Sequence, residues 1–532
     1  MRTRRPLLLV ITIGVGVLVG VPAAALAAPG GPRQAPAIVN VAHQAAVRAQ
    51  QAFEARAAAR LHPHALSAAA RAERSLARTA PGAAFSKITN VKSISRDTLP
   101  SLTAEIEPDT QVEPDVAIDP GNPKIITATF QEGRNGAFGG TADLGYATSQ
   151  DGGRTWADGN LPFLTTVVGG PFQLTSDAVV TFGPDGSDYA QSIAFGETNA
   201  RSAVTVQRST DGGISFGPPS LVVNDNNVNI FNDKNWIAAD RFRGSPHFGR
   251  IYAVWARFIT TGSGKNAVTH SPSAVSFSDD QGKTWSPFHF ANPATDDNQG
   301  NIPLVHPDGS VTIVYDRFVP NPTNPNQGND FETAQTSRDG GVTWSAPVTI
   351  GQFLGSEVPG MRTGGLPAAA IDPVTGAMYV TWQDTRFNPS GLNDILLSRS
   401  TDGGARWSAP QIVNPKVAGL DRFTPAVAAD AGAVHVTFGT RGRNGKAPTV
   451  TEDYISSTDG GRTFGFEHQV GPPSVLKYAA VSIEGAPPVA FLGDYAGLAA
   501  TAGEVELSWC QSSKPPVTGR FHQITWGATV TR

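Results

Sequence analysis

The sequence predicts an all-β chain, a seven-bladed β-propeller of four-stranded sheets, preceded by a signal peptide and an Ala/Arg-rich segment. Three observations predict it. From about residue 86, short runs rich in β-branched and aromatic residues alternate with Gly, Pro, Asp and Asn, the texture of strands and turns. One phrase with the pattern S-x-D-x-G-x-T-W returns six times. A second, Ala- and Val-rich phrase returns seven times. Repeats of this kind mean one supersecondary unit stacked or arranged radially.

The N-terminus reads MRTRRPLLLVITIGVGVLVGVPAAALA. Arg2, Arg4 and Arg5 form a positive region, Leu7 to Val21 an apolar core, and Ala25-Leu26-Ala27 a small-x-small cleavage site. This is the pattern of a secretory signal peptide over residues 1–27; the alternative is an uncleaved membrane anchor. No later stretch is long and apolar enough for a transmembrane helix, so the mature chain is expected to be secreted or extracellular, without a membrane span. Residues 28–85 are rich in Ala, Arg and Pro. They include a helix-forming stretch that can bury little surface, and are expected to be a linker or pro-segment, partly helical or disordered. His62-Pro63-His64 lies in it without a further ligand nearby and reads as solvated histidines rather than a metal site.

Residues 86–532 form the propeller domain. The six phrases place Asp151, Asp211, Asp280, Asp339, Asp402 and Asp459 at intervals of 60, 69, 59, 63 and 57 residues. The physical logic is a tight turn. The Asp carboxylate accepts from backbone N–H groups of its own turn, Gly supplies positive φ without a Cβ penalty, and Trp or Phe then enters the next strand and buries a large apolar side chain between neighbouring sheets. Upstream lie seven apolar strands, at 114–120, 176–183, 235–240, 301–309, 367–373, 425–430 and 496–503. Their small side chains suit a crowded central channel. The last unit, from about residue 488, lacks an Asp phrase and is too short for four strands. A propeller closes by borrowing a strand from the other terminus, and something in residues 86–108, in the stretch FSKITNVKSI that begins at Phe85, is the candidate. Six blades with an appended last unit is the alternative.

The repeated phrase resembles the Asp box, or BNR repeat, of the β-propellers in the sialidase superfamily. The resemblance covers nearly all of residues 86–532. It implies a propeller whose boxes sit at the blade periphery, away from the ligand, in families that include glycoside hydrolases and also non-catalytic receptors. A sialidase holds a carboxylate with three arginines and uses a Tyr nucleophile primed by Glu, with Asp as acid/base. This sequence has no R-I-P phrase, and at its first inner strand it places Glu113 where a cation would stand.

The starts of the inner strands and the loops after the second strands share one face of a propeller. The strand starts supply Glu113, Asp115, Asp177, Asp233, Lys234, Arg362, Asp421, Arg422, Asp494 and Tyr495; the loops supply Glu132, Arg134, Glu197, Arg257, Asp316, Arg317, Asp384, Arg386, Arg441 and Arg443. Tyr495 in the last unit should neighbour Glu113 in the first if the ring closes, a pair that makes a phenolate nucleophile feasible. The candidate catalytic residues are therefore Tyr495, Glu113, Asp494 and Asp115. The candidate ligand-binding residues are Arg257, Arg317, Arg362, Arg386, Asp233 and Lys234, since arginine suits bidentate contact with an anion. The competing reading is that Asp–Arg pairs such as Asp316/Arg317 and Asp384/Arg386 tie loops together.

Composition excludes several classes. Residues 1–85 carry ten Arg and two Glu, and the whole chain has a net charge of −4, so residues 86–532 carry −12. An acidic body is unsuited to nucleic acid. Only Cys510 is present, so no intramolecular disulfide forms, and its apolar setting reads as an inert buried thiol. HExxH, paired CxxC and P-loop motifs are absent, and the turns at 306–310 and 183–188 lack calcium-loop spacing. No cofactor and no metal are expected. The expected function is a secreted sialidase-like exo-glycosidase acting on a glycan or glycoconjugate at the central mouth, as a monomer. The alternative is a non-catalytic propeller that binds a glycan or protein.

Overall fold

The computed structural model describes residues 85–99, 106–136, 139–482, 489–501, 503–516 and 519–532. The expected signal peptide, and the segment after it as far as residue 84, lie outside the described residues. The chain is an all-β propeller. Among the described residues the longest helical element is the four-residue turn Gly442–Gly445, and no helix is long and apolar enough to cross a membrane.

Each unit is an antiparallel meander. The first runs Ile106–Ile118, Ile126–Asn135, Thr141–Ser149 and Ala157–Asn160. The second runs Leu174–Phe182, Asp188–Phe195, Arg201–Ser209 and Ser220–Asn226. Ile230–Ala239, Ile251–Thr261, Ser273–Ser278 and His289–Phe290 follow, then Asp297–Val305, Val311–Asn321, Asn324–Ser337 and Val348–Gln352. The next two begin at Ala368–Ile371 and Asp421–Asp430. The last is Gly497–Thr501, Glu504–Ser512 and Gln523–Thr531. Its outer edge is completed by Lys87–Ser93, which pairs antiparallel with Gln523–Thr531. An open strand edge would expose unpaired N–H and C=O groups; the N-terminal strand covers it. The inner strands lie against one another in cyclic order, and Gly497–Thr501 touches both Asp421–Asp430 and Ile106–Ile118.

The Asp phrases fold as their chemistry requires. Asp151 accepts from the Ser149 hydroxyl at 3.0 Å, the Thr155 N–H at 2.8 Å and the Thr155 hydroxyl at 2.7 Å. Gly152 and Gly153 both have positive φ, 73° and 72°. The same three bonds recur at Asp211, Asp280, Asp339 and Asp459. At Asp402 residue 406 is Arg, so that hydroxyl bond is missing, and the Ser400 hydroxyl at 2.9 Å and the Arg406 N–H at 3.0 Å remain.

Every later box also grips the preceding sheet, the third through Trp285 Nε1, which donates to Ser220 Oγ at 3.1 Å, and the other four through a glycine carbonyl. The Gly212 carbonyl accepts from Thr148 and Gln150, Gly340 from Arg250, Gly403 from Thr336 and Gly460 from Arg399. The first box has no earlier sheet, so its Gly152 carbonyl accepts from Asn90 on the closing strand. The box aromatics Trp156, Phe216, Trp285, Trp344, Trp407 and Phe464 pack into the apolar layers between neighbouring sheets. Those layers include the fully buried Trp255, Trp382 and Phe130, each stabilising by roughly 2–3 kcal/mol.

The channel-facing strands keep some small residues half-exposed. Ala368, Ala369, Ala370, Ala499 and Ala500 are of this kind, whereas Ala178, Ala426, Ala428 and Ala429 are buried.

Candidate functional site

A β-bulge interrupts most inner strands at the same height. Register breaks fall between Val112 and Asp115, Ser176 and Val179, Asp233 and Trp236, Gln299 and Ile302, and Phe423 and Ala426. A bulge re-aims one side chain, and within each break sits a left-handed residue: Glu113 (φ 54°), Asp177 (57°), Lys234 (46°), Gly300 (71°) and Thr424 (48°). Only one of these five is glycine. Left-handed backbone costs a non-glycine residue about 1–3 kcal/mol, so the strain concentrates on charged residues at the channel mouth.

Close backbone approach holds the ring of bulges together. A Cβ at Gly493 would lie 2.9 Å from the Glu113 nitrogen, and one at Gly497 2.7 Å from the Val116 nitrogen. The last sheet can therefore meet the first only through glycine. Polar bonds then run from sheet to sheet. The Asp494 N–H donates to Glu113 Oε1 at 3.3 Å. The Gln131 amide donates to Glu113 and, at 2.9 Å, to Ser176 Oγ. Ser176 donates to Asp177 at 2.9 Å, and the Lys234 N–H donates to Asp177 Oδ2 at 2.8 Å. The Val180 N–H donates to Asp115 at 2.9 Å, and Gln299 to Asp233 at 3.2 Å.

The cluster thus holds five carboxyl groups, Glu113, Asp115, Asp177, Asp233 and Asp494. Its cations are Lys234 and Arg362. Arg362 forms an ion pair with Asp494, Nε to Oδ1 at 3.1 Å. The Lys234 ammonium is buried without a hydrogen-bond partner; it lies over the rings of Tyr495 (3.7 Å to the centroid) and Trp236 (4.7 Å), a cation–π seat. Burial pushes the Glu113 carboxyl well above its ordinary range, reinforced by the charges of Asp177 and Asp494. Burial lifts Asp115 to about 7. Burial and the nearby Asp177 lift Asp233 to about 7. Of the five carboxyls, Asp233 is the half-exposed one; the others are buried.

Tyr495 does come to the first sheet, near Glu113. Its hydroxyl, however, donates to the Ala178 carbonyl at 3.3 Å, while Glu113 is held by Gln131 and the Asp494 N–H. Burial and the surrounding carboxylates push the phenol well above its ordinary range, which opposes a phenolate. The arginines are spent locally. Arg257 grips Asp225 with both terminal nitrogens, at 2.6 and 2.8 Å. Arg317 pairs with Asp296 at 3.1 Å rather than with its neighbour Asp316. Arg386 pairs with Asp384 at 2.7 Å. Arg422 pairs with Glu467 at 3.1 Å. Only Arg362 of the four expected anion-binding arginines joins the central cluster.

Sequence reasoning did not foresee the bridging roles of Gln131, Ser176 and Gln299, nor Trp236 at the mouth. It also missed a small sheet beside the mouth, in which Met361–Arg362 runs parallel to Val489–Phe491, itself antiparallel to Ala480–Ser482. Phe491 there lies between the guanidinium groups of Arg134 and Arg362, each 4.8 Å from its ring centroid. Among the described residues no group of three or more His, Cys, Asp and Glu is placed to hold a metal ion. Cys510 is buried and free.

The BNR/Asp-box repeat matches residues 276–287, the third box. No curated protein matches the chain. Among solved structures, the Hadza microbial sialidase Hz136 is 11% identical, with 82% of this chain and 96% of that one covered at a TM-score of 0.44. The Penicillium chrysogenum α-L-arabinanase, complexed with arabinobiose, is 10% identical (83% and 98% covered, TM-score 0.43). A polysaccharide lyase of family PL25, an ulvan lyase, is 12% identical (79% and 97% covered, TM-score 0.44). The six boxes, their grip on neighbouring sheets and the cyclic order of the inner strands together make this chain a β-propeller of the BNR/Asp-box type.

Proposed function

We propose that the chain is an exported, carbohydrate-active monomer, a sialidase-like exo-glycosidase in architecture, with its ligand at the mouth of a seven-bladed ring. The pairing of Lys87–Ser93 onto the last sheet supports seven blades over six with an appendage. The signal-peptide pattern of residues 1–27 supports export, with residues 28–85 as a linker and 86–532 as the working domain.

One observation carries the catalytic reading: Asp233, a partly exposed residue whose carboxyl burial raises to about 7 within a strained ring of further carboxyls. A carboxyl protonated near neutral pH is what a general acid for a glycosidic oxygen needs. Asp233 takes that role here. Glu113, Asp115 and Asp494 shape its field, and Tyr495 seats Lys234. The engaged state of Arg257, Arg317 and Arg386 argues for a sugar without a carboxylate. The same pairing favours a second reading, a glycan-binding propeller without turnover.

The test is a screen of the full chain against uncharged aryl glycosides and aryl sialosides, with Asp233→Asn as control. Turnover of an uncharged glycoside, lost in the variant, supports the hydrolase. Glycan binding without turnover supports the second reading. Hydrolysis of sialosides alone removes the charge argument.

A further inference from the structure

A second carboxylate stands beside the proposed acid. The Lys234 N–H that donates to Asp177 Oδ2 at 2.8 Å belongs to the peptide bond joining Asp233 to Lys234. Covalent geometry then sets a ceiling: the carboxyl carbons of Asp177 and Asp233 stand no more than about 10 Å apart. The contact is doubled, because the Asn235 amide donates to the Asp177 carbonyl at 3.1 Å. Residue 177 is thus fixed by side chain and backbone against residues 233–235. Electrostatics agrees with the geometry. After burial, the charge of Asp177 is what most raises both Asp233 and Glu113.

The position of Asp177 is built rather than incidental. It is held left-handed (φ 57°) in the bulge of Leu174–Phe182, a strain that persists only where the surroundings fix it. Its Oδ1 accepts from the Ser176 hydroxyl at 2.9 Å, and Ser176 is fixed in turn by the Gln131 amide at 2.9 Å. The other carboxyls of the cluster are engaged elsewhere. Asp494 is paired with Arg362. Burial pushes Glu113 well above its ordinary range and Asp115 to about 7, toward the form that cannot accept a proton. Asp177 is 6% exposed, whereas Asp233 keeps partial exposure. A carboxylate so enclosed can be met by a water molecule but not by the carbon of a sugar ring.

We propose that Asp177 is the catalytic base that works with Asp233, and this rests on the hydrolase reading above. As a water oxygen bonds to the anomeric carbon, the Asp177 carboxylate takes the water proton. The glycosidic C–O bond breaks, its electron pair passes to the leaving oxygen, and that oxygen takes a proton from Asp233. Two carboxyls within about 10 Å, with water at one of them, give a single displacement. The sugar leaves with its anomeric configuration inverted, and no covalent sugar–enzyme intermediate forms.

The experiment uses the full chain and the uncharged aryl glycoside that it turns over best. Proton NMR of the first-formed sugar should show the inverted anomer. Asp177→Asn keeps an acceptor for the Lys234 N–H and should lower kcat by about 10²–10⁴-fold, the usual share of a general base, with KM within roughly threefold. Added formate or azide should restore part of the activity of Asp177→Ala, which a merely structural carboxylate would not allow. A retained anomer, wild-type kcat in Asp177→Asn, or a loss that tracks Tm with no rescue by either anion overturns the role of Asp177 while leaving the hydrolase standing. Absence of turnover by the wild-type chain on every glycoside overturns both.

Discussion

The ammonium of Lys234 lies 3.7 Å from the centre of the Tyr495 ring, with no hydrogen-bond acceptor of its own. Two residues 261 positions apart thus meet beside the carboxyl cluster, one from the third sheet and one from the loop that leads into the last. The ring face substitutes for the water that the ammonium has lost. Tyr495→Phe keeps that face and loses one hydroxyl bond to Ala178, so it should cost about 1 kcal/mol or less. Tyr495→Leu strips the nearer face and leaves the buried charge only the Trp236 ring, at a cost of roughly 2–4 kcal/mol. Urea denaturation of the two variants should separate them cleanly; equal costs would mean that the contact contributes nothing.

Asp233→Asn should abolish turnover while barely moving the melting temperature. The residue keeps partial exposure, and its acceptor role toward Gln299 survives in the amide. With the acid raised to about 7, the wild-type rate should fall as pH rises through about 7. A wild-type profile flat from pH 5 to 9 would exclude Asp233 as the proton donor.

Stability should itself depend on pH, with opposite signs in two groups. Burial raises Glu506 to about 8 and Asp188 and Asp143 to about 7. These hold protons in the folded state that the unfolded chain has released, so their contribution is complete below the ordinary carboxylate range and is lost as pH rises toward about 8. The box carboxylates Asp151 and Asp280 are lowered to about 2 by their turn hydrogen bonds. Their contribution is present above the ordinary range and is lost as pH falls through about 2. Thermal melts should therefore peak near about pH 5 and drop by several degrees by about pH 8.5. A maximum at or above pH 8 would contradict this.

The fifth box invites repair. Arg406→Thr places a hydroxyl where five sister boxes have one bonded to their Asp. The substitution should stabilise the chain by about 0.5–1 kcal/mol, measured as a raised urea midpoint. Destabilisation would show that Arg406 does something its exposed position hides.

Removing Lys87–Ser93 should be far worse than any of these changes. It opens the edge of Gln523–Thr531 and takes Asn90 from the first box. A chain beginning at residue 94 should be recovered as aggregate, whereas one beginning at residue 85 should melt like the full chain. Equal solubility of the two would remove the closing role of this strand.

The repeat was legible because it is local. Asp, Gly and Trp lie within six residues of one another, and the chemistry of one turn fixes their order. The inner strands were legible through their Ala and Val, and the closing strand through a missing one. The mouth was less so. Glu113, Asp177, Lys234 and Thr424 adopt left-handed backbone without a glycine to signal it, because the bulge is imposed by neighbouring sheets. The charge pairings were also hidden. Arg317 sits beside Asp316 in sequence but reaches across to Asp296, and Asp109 finds His522 from the other end of the chain. Spacing along a chain carries no information about partners that meet only when a ring closes.

The backward grip of the boxes sets an order for assembly on the ribosome. As each later box emerges, the sheet that it clips onto has already been made. The opening box is different: its anchor includes residues 87–93, which can take their place only against Gln523–Thr531. Its clip must wait for the final codons, so the first unit translated is the last to be secured.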